Sequence, residues 1–233
     1  MLRTRSQLTF LMLITLLMTG CTNNPDQPFR IESLAKSELD MVIDAHLKQT
    51  NEHAQELMAK FYKRNPKELA KAPAGTTTTK RINQLFGYPR QVQFNELGDA
   101  YANDALLLAF NPEFQGDRVF AFMAGVAGII HSSYNYQNEF FMLDSINEQK
   151  IYNSARNLET ATWLLSSSKD ENNALYLLSN HSTDDGSANL SFERLFGKLI
   201  SGQDILATII SNRNNRTINK VLHGVASTTL LPI

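Results

Sequence analysis

Three groups of side chains in this sequence have the types that chemistry needs. The first is His46, Glu52, His53 and Glu56. His46 and His53 are seven residues apart and share a helix face, with Glu56 one turn beyond. Helical zinc sites use an i, i+4 pair such as H-E-x-x-H, which is absent, so the polar face of a long helix accounts for this group and no metal is expected. The second group, Asp117, Arg118, His131, Tyr134, Tyr136 and Glu139, brackets an apolar run. A guanidinium, an imidazole, two phenols and a carboxylate could line a ligand cleft, with Arg118 and His131 projecting from opposite ends of one helix. Aromatics at this spacing also serve as core or rim packing. The third group, His181-Ser182-Thr183-Asp184-Asp185, holds the residue types of a serine triad. Triad members are normally gathered from distant parts of the chain, and no G-x-S-x-G elbow occurs, so this stretch reads as a loop.

The remaining nucleotide and redox signatures are missing. There is no G-x-x-x-x-G-K-[ST] loop and no G-x-G-x-x-G fingerprint. With 22 Lys+Arg against 23 Asp+Glu the chain has no basic excess for phosphate neutralisation, so nucleic acid is not an expected partner. One cysteine, Cys21, cannot form an internal disulfide or a multi-thiolate metal site. No cofactor is implied.

Cys21 itself has a definite setting. Arg3 and Arg5 precede an apolar segment, Leu8 to Met18, broken only by Thr9 and Thr15, which is the pattern of a secretory signal and short for a bilayer span. The exit, Met18-Thr19-Gly20-Cys21, resembles the lipobox of bacterial lipoproteins, with Met18 where that family usually has Leu. The resemblance implies a diacylglycerol thioether on Cys21, cleavage just before it and acylation of the new amino terminus. Two or more acyl chains hold a protein stably on a membrane where one is marginal. Thr22, in place of the Asp that retains such proteins in the inner membrane, implies the outer membrane and its periplasmic face. Loss of Arg3 and Arg5 with the signal would leave 20 Lys+Arg against 23 acidic residues, a net charge of about −3.

The elements that must position these residues read as helices. Thr22 to Arg30 is a polar tether. A helix is expected from Ile31 to about Arg64, with Ala54, Leu57, Met58 and Phe61 on its apolar stripe. Asn65-Pro66 signals a fresh start, residues 72–79 a loop, and Ile82, Leu85 and Phe86 a short helix stopping at Gly87. Gly87-Tyr88-Pro89 is a turn, Arg90 to Asn95 the best alternating strand candidate, Asn95 to Phe110 a helix, and Asn111-Pro112 a second start signal. Val119 to Ile130 is apolar throughout and too short to span a bilayer, so it predicts a buried central helix that Gly125 and Gly128 let a neighbour approach. Capping boxes at Ser145–Glu148 and Ser168–Glu171 predict two more helices, and stripes at Phe192–Leu199 and Ile218–Val225 another pair. Asn214-Asn215-Arg216 reads as a solvated turn between them.

The expected architecture is an all-α, single-domain helical bundle over residues 31–233, after a signal peptide (1–20) and a lipidated cysteine with its tether (21–30). A split near the 72–79 loop would leave the first helix as an arm. The run from Phe110 to Phe141 resembles segments of uncharacterised proteobacterial envelope proteins, a resemblance that carries no activity. The function expected is that of a lipid-anchored envelope scaffold, assembly or accessory factor with a protein partner. The alternative is a periplasmic binder of a lipid or other apolar ligand in a pocket beside the central helix. An enzyme would require Arg118, His131, Tyr134 or Glu139 to converge in one cleft.

Overall fold

The computed structural model describes residues 35–182, 188–220 and 229–233. Cys21, the lipobox and the tether lie outside these residues. Among the described residues seven helices follow in order: α1 (Glu38–Arg64), α2 (Pro66–Leu69), α3 (Thr78–Phe86), α4 (Asn103–Leu108), α5 (Arg118–Ser133), α6 (Glu148–Ser167) and α7 (Ser191–Asn214). A two-residue antiparallel pairing, β1 (His181–Ser182) with β2 (Ala188–Asn189), closes the loop before α7. The fold is an all-α, single-domain bundle.

The centre is α5, every residue of which is buried. Its start is fixed by Asp117, whose carboxylate accepts from the Phe120 N–H at 2.9 Å. Five helices, α1, α2, α3, α4 and α6, pack around it. The two glycines act as the sequence suggests. A Cβ on Gly125 would fall 2.6 Å from the Leu106 backbone nitrogen, and one on Gly128 would fall 2.8 Å from Cα of Ala102. Only glycine permits α4 and the residue before it to lie this close.

α1 is part of this core, not an arm. Leu57, Met58 and Phe61 are fully buried, and the Phe61 ring meets Phe122 of α5 at 5.2 Å and Phe192 of α7 at 4.8 Å. Contacts at Phe61–Phe192 and His46–Gly202 make α1 and α7 antiparallel. α6 and α7 are antiparallel too, tied by Arg156 to Asp204 at 2.6 Å and by Asn214 to Glu148 at 3.2 Å.

Several local expectations are corrected, most of them by a side chain that bonds elsewhere. α1 begins at Glu38 because Ser37 and Asp40 form a reciprocal capping box. Asn65 does not cap α2 with its side chain. Its amide donates to the Leu178 carbonyl at 2.9 Å and accepts from the Leu178 N–H at 2.8 Å, pinning the segment after α6 to the end of α1. Asn95–Phe110 is not one helix: a single 3-10 turn, Asn95–Leu97, stops where Gly98, Asp99 and Ala102 take positive φ. Asn111 accepts from the Glu113 N–H in a turn, and α5 starts six residues later than the Asn-Pro signal suggests. The cap of α6 is Asn147, not Ser145.

No helix forms over 169–179. Asp170 accepts from the N–H groups of Asn172 and Ala174, and Lys169 bridges Leu175 in a tight turn. Arg90 to Asn95, the strand candidate, forms no strand. α7 closes at Asn215 in the left-handed region, and the stripe expected from Ile218 is not a helix through residue 220, the rest lying outside the described residues. Among the described residues no helix is long and apolar enough to cross a membrane.

Candidate functional site

The five residues expected to share a cleft are divided among four separate places. Arg118 and His131 stand about 20 Å apart along the α5 axis, given a rise of 1.5 Å per residue. Arg118 is buried, and its guanidinium donates to the carbonyls of Ala109 (2.7 Å), Asn111 (2.9 Å) and Phe114 (2.6 Å). It also lies over the Tyr176 ring at 4.4 Å. Its donors therefore hold the connection between α4 and α5, and burial lowers its pKa.

Tyr134 is fully buried at the C-terminal end of α5. Its hydroxyl lies 2.6 Å from Nδ1 of His46 and 3.0 Å from Oε1 of Gln203, joining α1, α5 and α7. Burial raises the Tyr134 pKa and lowers that of His46, whose ring also bonds the Gly202 backbone. Glu139 pairs with Lys36 at 2.8 Å, and Lys36 also bonds Asp44. Burial pushes Lys36 down, but the two carboxylates outweigh it and its pKa is raised.

His131 and Tyr136 are the two expected residues that meet, their rings edge-to-face with centroids 5.4 Å apart. His131 is buried; its Nδ1 lies 3.3 Å from the Tyr101 hydroxyl, while Nε2 has no hydrogen-bond partner among the described residues. Tyr136 is exposed. Beside them Arg90, Gln91, Phe94 and Tyr101 close a recess over Ala127 and Gly128. Burial, and then the charge of Arg90, bring the His131 pKa down to about 4, so the ring is neutral at pH 7. Burial likewise brings Arg90 to about 10. The recess encloses about 10 Å³, room for one water. A small-molecule pocket needs a few hundred Å³. The residues that line it include no serine, threonine, cysteine or carboxylate, so a neutral imidazole here can hold a water or position Tyr101.

A second polar cluster lies at the other end of α5, and of its members sequence patterning singled out Asp117 but not Arg81, Glu96, Tyr62 or Glu68. Arg81 is completely buried, stacked on Phe120 at 3.9 Å and paired with Glu96 at 2.6 Å and Asp117 at 3.4 Å. Tyr62 donates to Asp117 at 2.7 Å, and Glu68 accepts from the Arg118 N–H at 2.8 Å. Burial raises the Asp117 pKa, with the Phe120 N–H, Tyr62 and Arg81 opposing it. Here the acids and bases are paired with one another across α1, α2, α3 and α5.

Of the first group, Glu56 pairs with Lys60 at 3.7 Å and His46 is bound to Tyr134. Among the described residues no three His, Cys, Asp or Glu side chains gather as metal ligands. Of the His181–Asp185 stretch, His181 and Ser182 form β1 and the remainder lies outside the described residues.

A more open space lies on the surface. A groove of about 470 Å³ runs along the outer face of α7, lined by Gly197, Ser201, Asp204, Ile205, Thr208 and Ile209. Ile205 and Ile209 are exposed, one turn apart, and lie to one side of the buried stripe of Leu199, Leu206 and Ile210.

Comparisons with protein-family models, with curated proteins and with solved structures gave no match.

Proposed function

We propose that this protein is a lipid-anchored, periplasm-facing helical scaffold or accessory factor, held at the outer membrane through Cys21, that works by binding another envelope protein. The observation that carries the reading is the commitment of the interior. Arg118, Tyr134 and Arg81 spend their polar atoms on neighbouring elements, and the recess at His131 has space for one water. A domain built this way offers its surface to partners. The outer face of α7, with Ile205 and Ile209 exposed above small residues, suits the apolar side of a partner helix.

The test is affinity capture from chemically crosslinked envelopes, with wild type beside an Ile205→Lys/Ile209→Lys variant. One specific envelope protein should be recovered with wild type and lost with the variant. Labelled palmitate should enter the wild-type chain and not Cys21→Ala. Recovery of no specific partner, together with full function of a Cys21→Ser form, would sink the proposal.

A further inference from the structure

Residues Phe141 to Asp144 form a tight turn whose composition is unusual. The Asp144 N–H donates to the Phe141 carbonyl at 2.8 Å, and the Asp144 carboxylate accepts from the Phe141 N–H at 2.8 Å. The two central positions, where Gly, Asn, Asp or Pro are ordinarily found, are Met142 and Leu143. Met142 is 63% exposed and Leu143 is 99% exposed. A doubly closed turn thus presents two large apolar side chains to the outside.

We propose that this turn is a lipid-inserting wedge, which seats the domain on the surface of the membrane to which it is tethered. The proposal rests on the lipid-anchor reading of Cys21. Its position in the fold supports it. The Met142 N–H donates to the carbonyl of Ala35 at 3.0 Å, so the wedge sits where the described chain begins. Ala35 follows Cys21 by fourteen positions, an extended reach of at most about 50 Å. The tether therefore keeps this end of the molecule near the bilayer.

The hydrogen bonding suits a shallow seat among the lipid headgroups. The N–H groups of Phe141, Met142 and Asp144 are paired within the protein, while the Leu143 N–H at the tip has no partner among the described residues and needs the water that the headgroup region retains and the hydrocarbon lacks. Of the nearby charges, Lys36 bridges Asp44 and Glu139 and lies over the Phe141 ring at 4.7 Å, while the Asp144 carboxylate is exposed and caps the Phe141 N–H. Asp44 accepts from the Phe140 N–H at 2.8 Å, joining the turn to the first turns of α1. There Met41 and Val42 are 48% and 47% exposed and widen the apolar end. Two side chains at the tip of a sharp turn give a partner no continuous face to lie along, of the kind α7 presents at Ile205 and Ile209. A bilayer asks only that they enter.

The experiment uses the full chain, extracted from envelopes and reconstituted into phosphatidylethanolamine–phosphatidylglycerol vesicles, carrying Leu143→Cys labelled with an environment-sensitive fluorophore. Tyr88→Cys, at a site 90% exposed in the turn after α3, is the reference. Lipid-borne nitroxide should quench the label at 143 several-fold more than that at 88, with a blue shift at 143 alone. Equal quenching by an aqueous reagent at both sites would overturn the wedge. So would a label at 143 shielded from water yet untouched by the lipid nitroxide, the result expected if a protein or a second copy covers it. Intact mass reads the lipid on Cys21 separately; a chain without lipid overturns the anchor, and the quenching ratio still decides the wedge.

Discussion

The Tyr134 hydroxyl lies 2.6 Å from Nδ1 of His46, a bond between the end of the central helix and the first half of α1. Gln203 of α7 completes it, with Oε1 3.0 Å from the same hydroxyl and Nε2 buried without a partner among the described residues. Turned over, the amide lets Nε2 donate to Tyr134 while Tyr134 donates to His46 and the other ring nitrogen serves the Gly202 backbone. The hydroxyl and both rings' polar atoms are then used.

Tyr134→Phe removes the hydroxyl and takes from Gln203 its partner and from Nδ1 of His46 its shortest bond, leaving that nitrogen only Thr50 at 3.5 Å. Urea unfolding should show a loss of about 1–3 kcal/mol. A double-mutant cycle with Gln203→Leu should give a clear coupling energy, because both changes act on one network. Additive losses would mean that the three groups are not bonded as described.

His131 makes stability depend on pH. Its folded pKa is lowered to about 4 from an ordinary value of 6.5. Below pH 6.5 the unfolded chain takes up a proton that the folded chain refuses until about pH 4. Stability is therefore present in full above the ordinary value and is lost as pH falls through this window. The loss is on the order of 2 kcal/mol, from about 1.36 kcal/mol per pKa unit discounted for solvent near the ring. Denaturation midpoints taken across this range should fall steeply for wild type and less steeply for His131→Phe. Burial lowers the pKa of His46 as well, so part of the slope should remain.

Gly125→Ala and Gly197→Ala should have opposite signs. A Cβ at 125 collides with Leu106 backbone at 2.6 Å, so α4 must move, at a cost of about 1–3 kcal/mol. A Cβ at 197 meets nothing within 4 Å. Removing a glycine from the interior of α7 should stabilise by about 0.5–1 kcal/mol. Thermal melts of the two variants check both.

Much of the bundle was legible because its signals are local. The apolar run from Val119 to Ile130 could only be buried, and Gly125 and Gly128 already implied a close neighbour. The caps misled where a side chain had another use: Asn65 bonds the distant Leu178, and Asp170 folds its own segment into a turn. The candidate cleft dissolved for a related reason. Arg118 and His131 lie near opposite ends of a helix whose length keeps them apart, and no spacing rule shows that carbonyls at 109, 111 and 114 will consume the guanidinium. His46 as the partner of Tyr134, and Arg81 stacked on Phe120, join residues far apart in sequence, and only the tertiary structure brings them together. Ile205 and Ile209 were open to discovery, since both fall off the apolar stripe of their own helix.

The central claim is that the domain works through its surface, at the outer face of α7. A photo-crosslinking amino acid placed at Ile209 in living cells tests it most directly, with Leu107, exposed on α4, as the reference position. One discrete adduct with an envelope protein is expected from position 209, absent from 107 and abolished by Ile205→Lys. No adduct at 209, or the same adducts from both positions, would contradict it.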